Sequence, residues 1–123
     1  MSLTVLVVDD DEDIRRLLAL TLSRDPGVTV VGAAGDGEAA VEFVRYERPK
    51  IVLMDLLMPR LDGLEATRRI KQEWPRTKVI VLTALTEEAY RLAAYNSGAD
   101  GFLNKREIAT ALLPAIREIT SSA

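Results

Sequence analysis

Four short apolar runs constrain this chain more than any other feature: Val5-Leu6-Val7-Val8, Val28-Thr29-Val30-Val31, Ile51-Val52-Leu53-Met54 and Val79-Ile80-Val81-Leu82. A weaker fifth run is Gly101-Phe102-Leu103. The runs are continuous rather than alternating and rich in β-branched residues, which predicts strands buried on both faces. Successive runs start about 20 to 28 residues apart. That leaves room for one helix and two short loops, the requirement of a right-handed βαβ crossover.

The segments between the runs carry helical spacing. Ile14, Leu17, Leu18 and Leu22 share one stripe, with Arg15, Arg16 and Arg24 on other faces. Ala40, Phe43 and Val44 repeat the pattern before Arg48-Pro49, and Leu64, Thr67, Ile70 and Trp74 repeat it before Pro75. Glu88 to Tyr95 form a small alanine-rich helix that ends at Asn96-Ser97-Gly98. Ile108, Leu112, Ala115, Ile116 and Ile119 give a fifth, in which Pro114 predicts a kink or a late effective start. Five βα units make an α/β fold with a parallel sheet between two helix layers. For such a chain a common strand order is 2-1-3-4-5, the flavodoxin-like arrangement. At 123 residues this is one domain, with its core expected over residues 4–120.

Composition removes several chemistries. The chain has no Cys and no His, so disulfides, thiolate or imidazole metal sites and Ser–His catalysis are excluded. The formal net charge of −3 argues against a surface that coats nucleic acid. No apolar run approaches the length of a membrane span and no signal-peptide pattern opens the chain, so a cytoplasmic domain without membrane partners is expected.

The polar residues at the strand ends are the informative ones. Asp9 and Asp10 follow the first strand, Asp55 follows the third, Thr83 closes the fourth, and Lys105 lies just past the fifth. A parallel sheet gathers the carboxyl ends of its strands along one edge, where ligands bind near the reversal of strand order. The order 2-1-3-4-5 puts Asp9-Asp10 beside Asp55. Three clustered carboxylates raise at least one pKa unless a cation intervenes, and an oxygen-only cluster open to water suits Mg²⁺. With the Lys105 ammonium and the Thr83 hydroxyl, the set suits a transferable phosphoryl group attacked by a carboxylate.

These residues, in this order and spacing, resemble the receiver domain of bacterial two-component response regulators. The resemblance rests on Val7-Val8-Asp9-Asp10, Met54-Asp55-Leu56-Leu57-Met58-Pro59 with Asp62-Gly63, Leu82-Thr83-Ala84, and Gly101-Phe102-Leu103-Asn104-Lys105. It implies that Asp55 accepts a phosphoryl group from a sensor histidine kinase, the phosphohistidine lying on that other molecule. It implies Mg²⁺ held directly by Asp10 and Asp55, through water by Asp9, and by the backbone carbonyl of Leu57. Lys105 would pair with phosphoryl oxygens, Thr83 would swing onto them, and Phe102 would rotate inward. The surface of the fourth helix, fifth strand and fifth helix would then change, permitting a homodimer or docking of outputs. On this reading the chain is a switch that catalyses only its own modification, not an enzyme acting on a substrate pool.

Two departures from the family pattern stand out. Many receivers follow the lysine with a cis proline, whereas Arg106 stands here. Leu57 and Leu85 flank the site and offer no group to position water, which implies slow hydrolysis of the acyl phosphate. The Asn104-Lys105-Arg106-Glu107 stretch looks more like receivers joined to helix-turn-helix DNA-binding domains. An N-terminal half of a transcription regulator is therefore expected, with DNA bound only through an output domain that these residues lack; the alternative is a stand-alone receiver acting through protein contacts.

The plainer readings are local. Asp11, Glu12 and Asp13 read as a helix N-terminus, Asp36-Gly37 as a turn or cap, Asp62-Gly63 as the start of the third helix, and Trp74 as packing. An aspartyl phosphatase using Asp9 and Asp11 lacks a covering domain that would select a substrate. A degenerate receiver would not need all the polar residues present. Gly32 to Gly37 does not form a dinucleotide-binding fingerprint.

Overall fold

The computed structural model describes residues 2–121. The strands are β1 (Leu3–Val8), β2 (Val28–Ala34), β3 (Ile51–Met54), β4 (Lys78–Thr83) and β5 (Gly101–Asn104). The helices are α1 (Glu12–Leu22), α2 (Gly37–Glu47), α3 (Gly63–Glu73), α4 (Glu88–Asn96) and α5 (Ile108–Ser121), with a 3₁₀ turn at Lys105–Glu107. All pairings are parallel, in the order β2-β1-β3-β4-β5. The α/β class, the five units and the strand order match the sequence reading.

Successive residues of the central strands point to opposite layers, so both must be apolar. Leu6, Val8, Val52, Met54, Val79 and Val81 pack with α2, α3 and α4. Val5, Val7, Ile51, Leu53, Ile80 and Leu82 pack with α1 and α5. Burial on both faces holds for β1, β3 and β4 but not for β2 and β5. Along β2, exposed Thr29, Val31 and Ala33 alternate with more buried neighbours, because β2 is an edge strand. β5, at the other edge, is half-buried throughout. β2 also runs three residues beyond its apolar run: Gly32, Ala33 and Ala34 pair with Leu6, Val7 and Val8, after a register shift that leaves Val31 unpaired.

Helix starts follow a repeated device. Asp11, Asp36 and Asp62 each sit at an N-cap, and their carboxylates accept the backbone N–H of Asp13, Ala39 and Glu65. Helix α4 departs from it: Glu87 makes no side-chain cap bond, and Ala94 is the helix's one buried residue. Helix α5 starts at Ile108 and continues through Pro114, so the late start expected from that proline does not occur. Pro114 has no N–H for the Thr110 carbonyl, but both residues are exposed and water can take its place.

At the amino-terminal edge of the sheet, Lys71 of α3 donates to the carbonyls of Pro75 (3.0 Å) and Thr77 (2.8 Å) and to the Asp100 carboxylate (2.9 Å). Asp100 also accepts the Val79 N–H and returns its own N–H to the Val79 carbonyl. This bracket ties the end of α3 to the starts of β4 and β5. Trp74 packs there beneath the guanidinium groups of Arg45 and Arg48, centred 5.5 and 5.3 Å from its ring.

Thr67 is fully buried in α3, and its hydroxyl is the one buried side-chain polar atom without a partner among the described residues. Thr67→Val replaces an unsatisfied hydroxyl by a methyl of similar shape, so we expect a stabilisation of about 1 kcal/mol. The urea midpoint checks this: an unchanged or lower midpoint would mean that the hydroxyl has a partner in solution.

Candidate functional site

The register builds the site. Val8 pairs with Met54, so the residues that follow them, Asp9 and Asp55, leave adjacent strands side by side. The Asp55 N–H donates to the Val8 carbonyl (3.0 Å), and the Asp9 N–H donates to the Ala34 carbonyl on β2 (3.0 Å). On the other side of β3, Thr83 pairs with Asn104, and Lys105 is the next residue. The parallel sheet thus brings together Asp9, Asp10, Asp55, Thr83 and Lys105.

Asp9 is only 1% exposed and Asp55 5%, whereas Asp10 faces solvent. One carboxylate oxygen from each of the three lies within 4.8 Å of the others. The Lys105 ammonium is 2.7 Å from Asp9 Oδ2 and 3.4 Å from Asp55 Oδ1. The other Asp9 oxygen accepts the Asp11 N–H (2.9 Å), and the Asp9 carbonyl accepts from Arg15 Nη1 (2.6 Å). Burial, followed by the nearby Asp9 charge, pushes the Asp55 carboxyl up to about 6, against the pull of Lys105 and of the Leu56 N–H. For Lys105, burial works to lower the pKa but Asp9 and Asp55 outweigh it, so its ammonium is held above its ordinary value.

One ammonium against three carboxylates leaves two negative charges to balance, and every donor is a hard oxygen. This donor set fits a hard divalent cation, with Asp10 on the solvent side where the ion could keep water. Thr83 is 1% exposed, and its Oγ1 accepts the Leu85 N–H (3.1 Å). Phe102 is half-buried on β5 and packs against the core on the α2–α4 side. The Leu57 side chain is 62% exposed, while Leu85 is half-buried. All peptide bonds among the described residues are trans, including Lys105–Arg106. There Asn104 caps the 3₁₀ turn, accepting the Arg106 N–H (2.9 Å), while Glu107 accepts the Asn104 N–H (3.2 Å).

Three residues matter to this geometry in ways that the sequence reading missed. Gly63 starts α3 directly against the phosphoacceptor candidate: a Cβ there would lie 1.9 Å from the Asp55 carbonyl oxygen. Gly37 starts α2 against the β3–α3 loop, donating to the Leu61 carbonyl (3.1 Å) with no room for a Cβ beside it. Arg15 reaches back from α1 to the Asp9 backbone. The Asp-Gly pairs signalled helix starts but not these close approaches. Arg15 carries no sequence signal, since a bond to a backbone carbonyl leaves no residue pattern.

Comparisons with known proteins agree with this architecture. The family model for the response regulator receiver domain matches residues 5–117. Over 105 residues the chain is 48% identical to protein-glutamate methylesterase/protein-glutamine glutaminase 4 of Myxococcus xanthus, covering 84% of this chain and 30% of that protein. Over 118 residues it is 36% identical to the transcriptional regulatory protein DegU of Brevibacillus brevis, covering 96% of this chain and 50% of that one. It therefore spans half or less of the length of these two curated relatives. The response regulator domain of Thermotoga maritima CheB superposes with a TM-score of 0.92 at 35% identity, covering 100% of this chain and 99% of that chain. A LuxR-family response regulator from Aurantimonas sp. SI85-9A1 gives 0.91 at 33% identity, covering 97% and 85%. With the family match, the strand order and the clustered strand-end residues all in place, the chain belongs to the receiver domain family of two-component response regulators.

Proposed function

We propose that this domain accepts a phosphoryl group on Asp55 from a sensor histidine kinase in a Mg²⁺-dependent transfer. The observation that carries this reading is the buried Asp55 carboxylate, set beside Asp9 and Asp10 and 3.4 Å from Lys105. Asp9, Asp10, Asp55 and the Leu57 carbonyl would hold Mg²⁺, whose role is to neutralise phosphoryl oxygens. An Asp55 oxygen attacks phosphorus, the P–N bond of the donor phosphohistidine breaks, and the leaving imidazole takes a proton. Asp55 then carries an acyl phosphate. The donor histidine lies on another molecule, since this chain has none.

Lys105 offers its ammonium to the new phosphoryl oxygens, and the Thr83 hydroxyl turns from the Leu85 N–H to join it. Phe102 follows, and the surface of α4, β5 and α5 changes by a shift in a pre-existing equilibrium. That surface controls the output through a homodimer or a docked partner. We read the whole system as a cytoplasmic transcription regulator, with the DNA contacts made by a separate output domain. A second reading is supported by the 48% identity to the methylesterase relative: an enzymatic output governed by the same surface. Phosphorylation-dependent promoter binding by the complete gene product supports the first, and phosphorylation-dependent esterase activity the second.

Intact-mass spectrometry after incubation with acetyl phosphate tests the reading. A single phosphoryl adduct is expected with Mg²⁺, none with EDTA and none in Asp55→Asn. The adduct decays slowly in the same spectra, because Leu57 and Leu85 position no water. No adduct, together with no stabilisation by Mg²⁺ and beryllofluoride, would overturn it.

Lys105→Ala separates binding from switching. The ammonium and a cation compete for the same Asp9 and Asp55 oxygens, so removing it should tighten Mg²⁺ binding about threefold or more. The phosphorylated variant should nonetheless fail to dimerise or to engage its partner, as read by size-exclusion chromatography. Wild-type switching in Lys105→Ala would remove the lysine from the mechanism.

A further inference from the structure

We propose that Arg15 is a positioning residue of the cation site, acting through the Asp9 backbone to aim the Asp10 carboxylate. The proposal rests on the reading of Asp9, Asp10 and Asp55 as a divalent-cation site. Asp10 is the weak point of that cluster. Its side chain is exposed, and among the described residues its carboxylate has no hydrogen-bond or ion-pair partner. The direction of its carboxylate therefore depends on its backbone.

The peptide plane that enters Asp10 contains the Asp9 carbonyl, and Arg15 Nη1 donates to that oxygen at 2.6 Å. Asp9 is held at every other polar atom as well. Its N–H is fixed to Ala34, one carboxylate oxygen to the Asp11 N–H, and the other to Lys105. Arg15 thus closes the last free orientation of the residue that precedes Asp10.

The position is unusual for an arginine on this helix. The neighbouring Arg16 pairs with Glu12 (2.7 Å) and Asp13 (3.7 Å) in solvent. Arg15 is half-buried and forms no ion pair among the described residues. Its guanidinium also lies beside the β2–α2 loop, 3.7 Å from where a Gly35 Cβ would sit. Outer partners that fix a metal ligand's orientation govern affinity without touching the ion.

Magnesium titration by calorimetry on the metal-free protein tests this, with Arg15→Ala, Arg15→Lys and Arg16→Ala beside the wild type. Arg15→Ala should bind Mg²⁺ about tenfold more weakly. Arg15→Lys, which keeps a cationic donor at the same position on α1, should recover part of the loss, and Arg16→Ala should match the wild type. Amide NMR shifts of the metal-free Arg15→Ala protein should move at Asp10 and Asp11 and stay fixed at Val79 and Asp100 across the sheet. A merely structural role would lower the melting temperature and leave the affinity of the folded protein unchanged. Arg15→Ala binding within about twofold of wild type would overturn the proposal and leave the site reading intact. If Arg15→Ala does not fold, Arg15→Gln takes its place: displaced Asp10 shifts with weaker Mg²⁺ binding support the proposal, and undiminished affinity overturns it. Wild-type protein that binds no Mg²⁺ would overturn the site reading itself, and the proposal with it.

Discussion

Without metal at about pH 7.5, Asp55→Asn should melt above the wild type, and the two should converge below about pH 4. The folded Asp55 carboxyl sits at about 6, above its ordinary 3.8. Between those values the folded state binds more protons than the unfolded state, so stability falls as pH rises. Above about 6 both states are ionised and the cost of holding the charge in the fold is complete. The shift corresponds to about 3 kcal/mol at face value, nearer 1–2 kcal/mol once water at the open side of the site screens it. Asparagine removes that cost at every pH.

The same substitution that should prevent the proposed phosphoryl adduct should therefore raise metal-free stability. Added Mg²⁺ should reverse the order, stabilising the wild type more than the variant, because it supplies the positive charge that balances the buried Asp55 carboxylate. Differential scanning calorimetry with EDTA and with Mg²⁺ at three pH values reads the whole pattern. A less stable Asp55→Asn under EDTA at neutral pH would show that Lys105, rather than burial and Asp9, dominates the carboxylate.

Gly63→Ala should be the most damaging single-methyl change in the site. Its Cβ would meet the Asp55 carbonyl oxygen at 1.9 Å, the carbonyl carbon at 2.8 Å and Leu56 Cα at 2.9 Å. All three are backbone atoms, so no side-chain rotation relieves the clash. Either α3 backs away, breaking the 2.9 Å bond from the Gly63 N–H to the Leu56 carbonyl, or the end of β3 moves. We expect a loss of about 3 kcal/mol in urea denaturation. The fraction that still folds should phosphorylate poorly, because the displaced backbone carries Asp55, the proposed nucleophile. Gly35→Ala is the control: its nearest neighbour, Arg15 Nη1 at 3.7 Å, is at ordinary contact distance. A Gly63→Ala midpoint equal to that of wild type would mean that the start of α3 yields freely.

The strand order and the convergence of Asp9, Asp10, Asp55, Thr83 and Lys105 were legible because buried parallel strands announce themselves as apolar runs, and polar residues at their ends share one edge. The extent of β2 was not legible. Gly32, Ala33 and Ala34 look like a turn, and only pairing with Leu6, Val7 and Val8 makes them a strand. Pro114 misled in the opposite sense, since the bond it removes falls on the solvent side of α5, where water can take its place. Within the site, residue types predicted the cluster but not its internal pairings. That Lys105 sits closer to Asp9 than to Asp55 is a property of side-chain reach. That Gly63 touches the Asp55 backbone is a property of the angle at which α3 leaves the sheet.

Helix α4 is held very unequally along its length. Its last turn is anchored by buried Ala94 and Ser97 and by Gly98, packed close to Lys71 in the bracket that joins α3, β4 and β5. Its first turn has no side-chain cap and exposed residues at Glu87, Glu88 and Ala89. The loose end is the one that follows Thr83 and Leu85. On the proposed switching, the helix would work as a gate hung on one post: a displacement of Thr83 would push at its less buried side, which half-buried Tyr90 ties to the core.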